Sequence, residues 1–87
     1  MYIIRFSEDA QKDLVLLQKK APKAVKKLRT LLAEIAEHPR TGTGQVEQLK
    51  HYQNETWSRR ITHEHRLVYE IHEEYVRVLV ISAFGHY

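Results

Sequence analysis

The spacing of the hydrophobic positions changes about halfway along the chain. After a short β-branched stretch at 2–6, the apolar residues of the first half recur every three or four positions, which predicts two amphipathic helices. Ser7 is placed to cap the first helix, over 10–20, and Pro22 suits the first turn of the second helix. Because Pro39 ends the second helix, the two are predicted to form an antiparallel hairpin.

Beyond a glycine-containing loop at 40–45, the apolar positions alternate, as they do in strands. Four segments are rich in β-branched and aromatic residues: VEQLKHY (46–52), TWSRRIT (56–62), HRLVYEI (65–71) and YVRVLVISAF (75–84). With 2–6 as the first strand, the predicted order is β-α-α-β-β-β-β. Two helices on one face of a mainly antiparallel sheet make an α+β fold. Because 87 residues are too few for two cores, a single domain over 1–87 is predicted.

The strand HRLVYEI predicts which residues lie on the uncovered face of the sheet. Its odd positions Leu67, Tyr69 and Ile71 are apolar and are assigned to the face that the helices cover, so Arg66 points to the open face. The connection THEH lacks the glycine or asparagine of a tight hairpin turn, which favours a three-residue loop. An odd loop keeps residues of equal parity on one face, so Arg60 is predicted beside Arg66.

Two neighbouring arginines admit two interpretations. Like charges across a strand pair are destabilising, and an anion bound between them would relieve the repulsion. Alternatively, both side chains lie flat on the sheet and contact carboxylates such as Glu70 or Glu47.

The last strand, by the same alternation, predicts that Val80, Ser82, Phe84 and His86 share one face. If the turn around HEE is also odd, that face is the one that carries Arg66. An imidazole beside paired guanidiniums suits phosphoryl transfer, in which one group moves a proton and the others hold charge. The alternative is a solvated histidine at the chain end.

Glu47 stands directly after the glycine-containing loop, at the start of a predicted strand. A carboxylate beside several cationic groups stays ionised at neutral pH, so it can accept a proton. An isolated surface glutamate with no such role is the alternative.

Composition narrows the class of protein only slightly. The chain has 14 Lys+Arg against 11 Asp+Glu, a formal net charge of +3 and a pI near 9.3, which is compatible with an anionic partner. The absence of cysteine excludes disulfides and thiolate metal sites and fits a reducing compartment. No apolar stretch is long enough for a signal peptide or a membrane span, so a cytoplasmic protein without a membrane partner is predicted.

Two further patterns have competing interpretations. The basic run QKKAPKAVKKLR on the helices either contacts RNA phosphates or is a solvated helix face. The second pattern is a set of histidines that suggests a metal enzyme: His63 and His65 are two residues apart, and His72 follows. Their spacing matches no zinc motif, and the chain has no cysteine to complete one. No metal site and no cofactor are therefore predicted.

The strings EQLKH and WSRRITHEHRLVYEI, together with the final HY, resemble the YoeB/Txe family of toxin-antitoxin toxins, within the RelE superfamily. The resemblance covers the whole chain and implies a RelE-like, microbial-ribonuclease-like fold. It implies a ribosome-dependent endoribonuclease that cuts mRNA in the A site of the 70S ribosome and is held inactive by a cognate antitoxin. A homodimer is compatible with it. The competing interpretation is a non-catalytic RNA- or DNA-binding module.

The resemblance also implies a role for each matching residue, in a metal-independent transesterification. Catalysis is assigned to a base, a phosphate-binding arginine, an acid and a terminal aromatic: Glu47, Arg66, His86 and Tyr87. Contact with the RNA is assigned to three basic residues: Lys50, Arg60 and Arg66.

Overall fold

The computed structural model describes residues 1–85 and has the predicted α+β order. Its elements are β1 (Ile3–Phe6), α1 (Glu8–Lys20), α2 (Ala24–Glu37), β2 (Glu47–Leu49), β3 (Thr56–Arg60), β4 (Arg66–His72) and β5 (Arg77–Ser82), with a 3₁₀ turn at Glu73–Tyr75. The strands form one sheet in the order β1-β5-β4-β3-β2. The pair β1–β5 is parallel and the other pairs are antiparallel.

The helix ends follow from local sequence. Ser7 caps α1 as predicted, because its Oγ accepts a hydrogen bond of 3.0 Å from the backbone N–H of Ala10. The prediction for Pro22 is wrong by two residues: α2 begins at Ala24, and Pro22 lies in the turn before it. Proline cannot supply an N–H, and here it precedes the helix rather than opening it. The second helix ends at Glu37, before Pro39, as predicted.

The core lies between the helix pair and one face of the sheet. The predicted inward row of β4, Leu67, Tyr69 and Ile71, is buried there. It packs with helix residues that recur at helical spacing: Leu17, Leu28, Leu31 and Ile35. The covered face of β4 is therefore confirmed. We call the opposite side of the sheet the open face.

The loop of the β3–β4 hairpin has the predicted odd number of residues. Arg60 pairs directly with Arg66, and the N–H of Ile61 donates to the carbonyl oxygen of His65 at 2.9 Å. Three residues, 62–64, therefore form the loop between that bonded pair. Both arginines lie on the open face, because their neighbours Arg59 and Leu67 are paired on the covered face.

The β4–β5 turn does not meet the condition of an odd number of residues. His72 pairs with Arg77, so four residues, 73–76, form the turn, and Val80 pairs with Tyr69. Val80 is consequently fully buried on the covered face, not on the face of Arg66, where an odd turn would have put it. The 3₁₀ turn and the left-handed backbone of Val76 (φ 51°) accommodate the even number.

A β-bulge in β5 then reverses the parity. Tyr69 pairs with Val80 but Val68 pairs with Ser82, so Ile81 is an extra residue on one side of the ladder. The bulge places Ser82 beside Val68 on the open face. Ser82 therefore lies on the face that an odd turn would have given it, but the bulge is the cause. The predicted face of His86 lies outside the described residues.

No helix within residues 1–85 combines the length and the apolar character that crossing a bilayer would require.

Candidate active site

Two rows of paired residues at one end of the open face contain three of the predicted site residues. In the first row, Glu47 pairs with Ser58, which pairs with Val68. In the next row, two residues further along each strand, Arg60 pairs with Arg66. Diagonal neighbours across adjacent strands lie about 7–8 Å apart, within reach of long side chains. A carboxylate and two guanidiniums therefore share one end of this face.

Arg66 is held at both its backbone and its side chain. Its Nη1 lies 3.5 Å from the Oγ of Ser58, which is fully buried in the middle of the neighbouring row. Its backbone N–H donates to the carbonyl oxygen of Gly85 at 2.9 Å. The guanidinium thus lies against β3, while the backbone of Arg66 is bonded to the last described residue of the chain.

Arg60 carries a buried donor without an acceptor. Its Nε is shielded from solvent and makes no hydrogen bond in the part of the chain that the structure describes. Its backbone N–H donates to the carbonyl oxygen of Gly44 at 2.5 Å. Buried donors are normally paired, and an unpaired one calls for an explanation. A phosphate oxygen at this position would supply the acceptor, in a charge-assisted hydrogen bond.

Glu70, offered above as a contact for the paired arginines, interacts elsewhere. Its Oε1 lies 2.9 Å from His72 Nε2 and 3.5 Å from Asn54 Nδ2. It stands four residues from Arg66 along β4, or about 13 Å in an extended strand. Glu47 is the acidic residue that the register brings to the arginine end of the face.

The remaining predicted site residues are not all placed. Lys50 is exposed in the bend that follows β2 and takes no part in the strand pairing. His86 and Tyr87 lie outside the described residues. Among residues 1–85, no group of three or more His, Asp or Glu side chains is arranged to hold a metal ion.

The chain matches a family model over residues 6–87, described as the YoeB-like toxin of bacterial type II toxin-antitoxin system. It belongs to this YoeB-like toxin family. It is 37% identical over 82 residues to Toxin YoeB of Escherichia coli strain K12, covering 94% of this chain and 95% of that protein. The chain is therefore a toxin of the YoeB kind, and the resemblance inferred from its sequence motifs is confirmed.

Solved structures of this family have the same fold. The YoeB dimer from Staphylococcus aureus matches with a TM-score of 0.84 at 37% identity, covering 99% of this chain and 98% of that chain. The heterotetrameric YoeB–YefM toxin-antitoxin complex from the same organism matches with a TM-score of 0.81 at 36% identity, covering 100% and 99%. The YoeB-like arrangement of two helices on a five-stranded sheet is thereby confirmed.

In this YoeB-like chain, His65 holds residues 84 and 85, a part that the sequence did not reveal. The N–H of Gly85 donates to Nδ1 of His65 at 2.9 Å, and the imidazole stacks on Phe84 with ring centroids 4.3 Å apart. Upstream, the N–H of Ala83 donates to a carboxylate oxygen of Asp13 on α1 at 3.0 Å. Residues 83–85 are therefore bonded to both β4 and α1.

Arg59 is the second residue that the sequence did not reveal. It is fully buried on the covered face, where its Nε donates to the hydroxyl of Tyr69 at 3.0 Å. Its Nη1 donates to Glu34 at 3.1 Å and to the Thr43 carbonyl at 3.4 Å. Its Nη2 donates to the carbonyl oxygens of His38 and Thr41 at 2.8 and 2.7 Å. The five N–H groups of a guanidinium thus have five acceptors.

This network fixes the loop that precedes Glu47. The N–H and hydroxyl of Thr43 donate to Glu34, each at 2.9 Å. The backbone N–H of Thr43, then its hydroxyl, and to a lesser extent Arg59 hold the pKa of Glu34 below its ordinary value. Gly44 has a φ of +91°, and a side chain there would approach the Arg60 carbonyl oxygen to 3.1 Å. Only glycine fits without strain, so the loop can lie directly against β3.

A surface cluster holds the other end of the same loop. Arg40 forms ion pairs with Glu55 at 2.8 Å and Glu73 at 2.9 Å, and the Tyr2 hydroxyl donates to Glu73 at 2.7 Å. Hydrogen bonds from Arg40 lower the pKa of both carboxylates. Because the cluster is largely exposed, solvent screens it, and its contribution to stability is small.

Proposed function

We propose that this chain is a ribosome-dependent endoribonuclease that cleaves mRNA in the ribosomal A site and so inhibits translation. The observation that carries the proposal is the register of the open face, which aligns Glu47 with Ser58 and sets Arg60 opposite Arg66 one row away. A base and two phosphate-binding groups at one end of a sheet suit phosphodiester chemistry. The unpaired Nε of Arg60 adds support, because an RNA phosphate would satisfy it.

In the proposed mechanism, Glu47 takes the proton from a ribose 2′-hydroxyl, whose oxygen attacks the adjacent phosphorus. Arg66, with Arg60 and Lys50, neutralises the charge that builds on the non-bridging oxygens. One such donor contributes roughly 3 kcal/mol to stabilising a transition state, by analogy with deletion of an oxyanion-hole donor.

The bond from phosphorus to the 5′-oxygen then breaks, and His86 gives that oxygen its proton. Tyr87 orients the phosphate or stacks on a base, as aromatic side chains do in RNA recognition. The products are a 2′,3′-cyclic phosphate and a 5′-hydroxyl, and the reaction requires no metal ion. The bonds of Gly85 to Arg66 and His65 support giving the last two residues a role beside Arg66.

The proposal extends to partners. The complex of a relative with YefM supports a cognate antitoxin for this chain, and the dimer of a relative supports a homodimer. mRNA and the 70S ribosome follow from the proposed activity. We further propose that residues 1–87 act in the cytoplasm as a single toxin domain.

The decisive experiment adds purified protein to 70S ribosomes programmed with an end-labelled message. Wild-type protein is expected to produce cuts in frame with the A-site codon, with cyclic-phosphate ends. The variants Glu47→Ala, Arg66→Ala and His86→Ala are expected to leave the message intact.

Matched controls are Glu37→Ala on α2 and Lys12→Ala on α1, which remove the same charges from exposed positions. Both are expected to cut like wild type. Binding of wild-type protein to ribosomes with an intact message would instead support the non-catalytic RNA-binding module. Full cleavage by Glu47→Ala would refute the assigned base.

A further inference from the structure

The open face carries a second pair of arginines at its other end. Arg77 of β5 pairs with His72, and Arg5 of β1 pairs with Leu79 one row away. His72 is the last residue of β4 and Arg66 the first, so the two arginine pairs are separated by about 20 Å along the sheet. We call the second pair and the side chains around it the Arg5–Arg77 cluster.

A cavity of about 260 Å³ opens within this cluster, lined by Arg5, His72, Tyr75, Arg77 and Leu79. Tyr75 is 64% exposed, and the guanidinium of Arg77 lies over its ring at 5.6 Å from the centroid. Leu79 supplies a partly buried apolar floor. The cavity therefore combines two cationic forks with an aromatic ring that is open to solvent.

The two arginines of the cluster have no carboxylate partner of their own within residues 1–85. Neither Arg5 nor Arg77 forms an ion pair with a described acidic side chain. The nearby carboxylates contact the histidine instead: Glu70 lies 2.9 Å from Nε2 of His72, and Glu74 lies 3.8 Å from its Nδ1. In contrast, Arg40 and Arg59 each contact a carboxylate. An anion would therefore find two guanidiniums here that form no ion pair with a described carboxylate.

We infer that the Arg5–Arg77 cluster binds a phosphate and the adjoining base of single-stranded RNA that runs along the open face from the Arg60–Arg66 end. This inference rests on the proposed function, which makes RNA the substrate. Guanidinium forks match phosphate oxygens, and an exposed tyrosine offers a platform for a base. Small-molecule sites typically enclose about 300–1,000 Å³, so this open cavity suits one unit of a polymer better than a whole free ligand.

Binding to an uncleavable RNA tests the inference separately from catalysis. A fluorescent oligoribonucleotide of about 12 units, 2′-O-methylated throughout, lacks the nucleophile, and its affinity is measured by anisotropy at several salt concentrations. The double variant Arg5→Ala/Arg77→Ala is expected to bind about tenfold more weakly than wild type. The slope of its salt dependence should fall by about 0.7, since one phosphate contact to a single strand contributes about that much.

The matched control is Lys12→Glu, which lowers the net charge by the same two units at an exposed position of α1 outside the basic run. A loss as large as that of the arginine variant would show a general charge effect and overturn the inference. So would unchanged binding by the arginine variant, or no binding of the oligonucleotide by wild type. Thermal unfolding of each variant verifies that the fold is kept.

A second variant tests the aromatic platform. Tyr75→Ala is expected to weaken binding at least about fivefold, whereas Tyr75→Phe keeps the ring and should bind like wild type. Equal binding by all three proteins would overturn the stacking role. Because the RNA cannot be cut, a failure here leaves the cleavage assay on ribosomes unaffected, and a failure of that assay leaves this binding result unaffected.

Discussion

Arg59 and Arg60 are consecutive residues on opposite faces of one strand, and they differ in how their donors are used. On the covered face, the five N–H groups of Arg59 have five acceptors from α2, β4 and the loop before β2. On the open face, Arg60 has a buried Nε without a described acceptor and lies opposite another arginine. A guanidinium with all its donors paired supports the fold, whereas one with an unpaired donor is available to a ligand.

The largest effect on the free energy of unfolding is expected from removing Arg59 on the covered face. Arg59→Ala removes one of the donors to the Glu34 carboxylate and one donor from each of three carbonyl oxygens. Each buried acceptor left unpaired costs about 1–3 kcal/mol, so a loss of about 3 kcal/mol is expected. Arg60→Ala should change the free energy of unfolding by less than about 1 kcal/mol. Urea denaturation of both variants measures the difference. Equal destabilisation by the two would break the contrast between the faces.

Removing an arginine from the open face is expected to lower the cleavage rate and to leave the free energy of unfolding almost unchanged. Arg66→Ala should lower the rate of mRNA cleavage about 100- to 1,000-fold, because it removes a donor to the transition-state phosphate. Its unfolding free energy should stay within about 1 kcal/mol of wild type, since the guanidinium is only partly buried. Single-turnover cleavage on ribosomes gives the rate. A variant that cleaves normally would remove Arg66 from the site.

A smaller effect is expected at the junction with the chain end. His65→Phe keeps a ring against Phe84 but loses the acceptor for the Gly85 N–H, so cleavage should slow about tenfold. His65→Asn offers an acceptor and should recover part of the rate. If the phenylalanine variant cleaves better than the asparagine variant, stacking rather than the hydrogen bond positions the end of the chain.

The smallest effect concerns pH and the loop network. Because the pKa of Glu34 in the folded protein lies below its ordinary value of 4.5, its stabilising effect is complete above that value. It is lost as the pH falls through the lower, folded-state pKa. Glu34→Gln should therefore be less stable than wild type at about pH 6, and the gap should narrow towards about pH 4.

Urea denaturation at both pH values measures this gap, with Glu37→Gln on the exposed side of α2 as the control. If the difference in unfolding free energy between wild type and Glu34→Gln is the same at both pH values, the ionisation of Glu34 does not contribute to it.

The β5 strand shows where pattern reasoning failed and why. Alternation together with an odd turn would put Val80 on the open face, but the turn before it has an even number of residues, so Val80 is buried against the helices. The bulge at Ile81 then brought Ser82 to the predicted face. Neither feature has a signature in the local sequence, because both depend on how β5 fits between β1 and β4.

The amino-acid sequence by itself determined the order of the elements, the cap at Ser7 and the pairing of Arg60 with Arg66. These follow from local periodicity and from an odd hairpin loop, which neighbouring residues encode. Only the tertiary structure decided that Arg59 is a buried hub, that His65 holds Gly85 and that Arg5 and Arg77 share a cavity. Those contacts join residues from separate strands and helices, so they exist only once the sheet and its covering helices have packed.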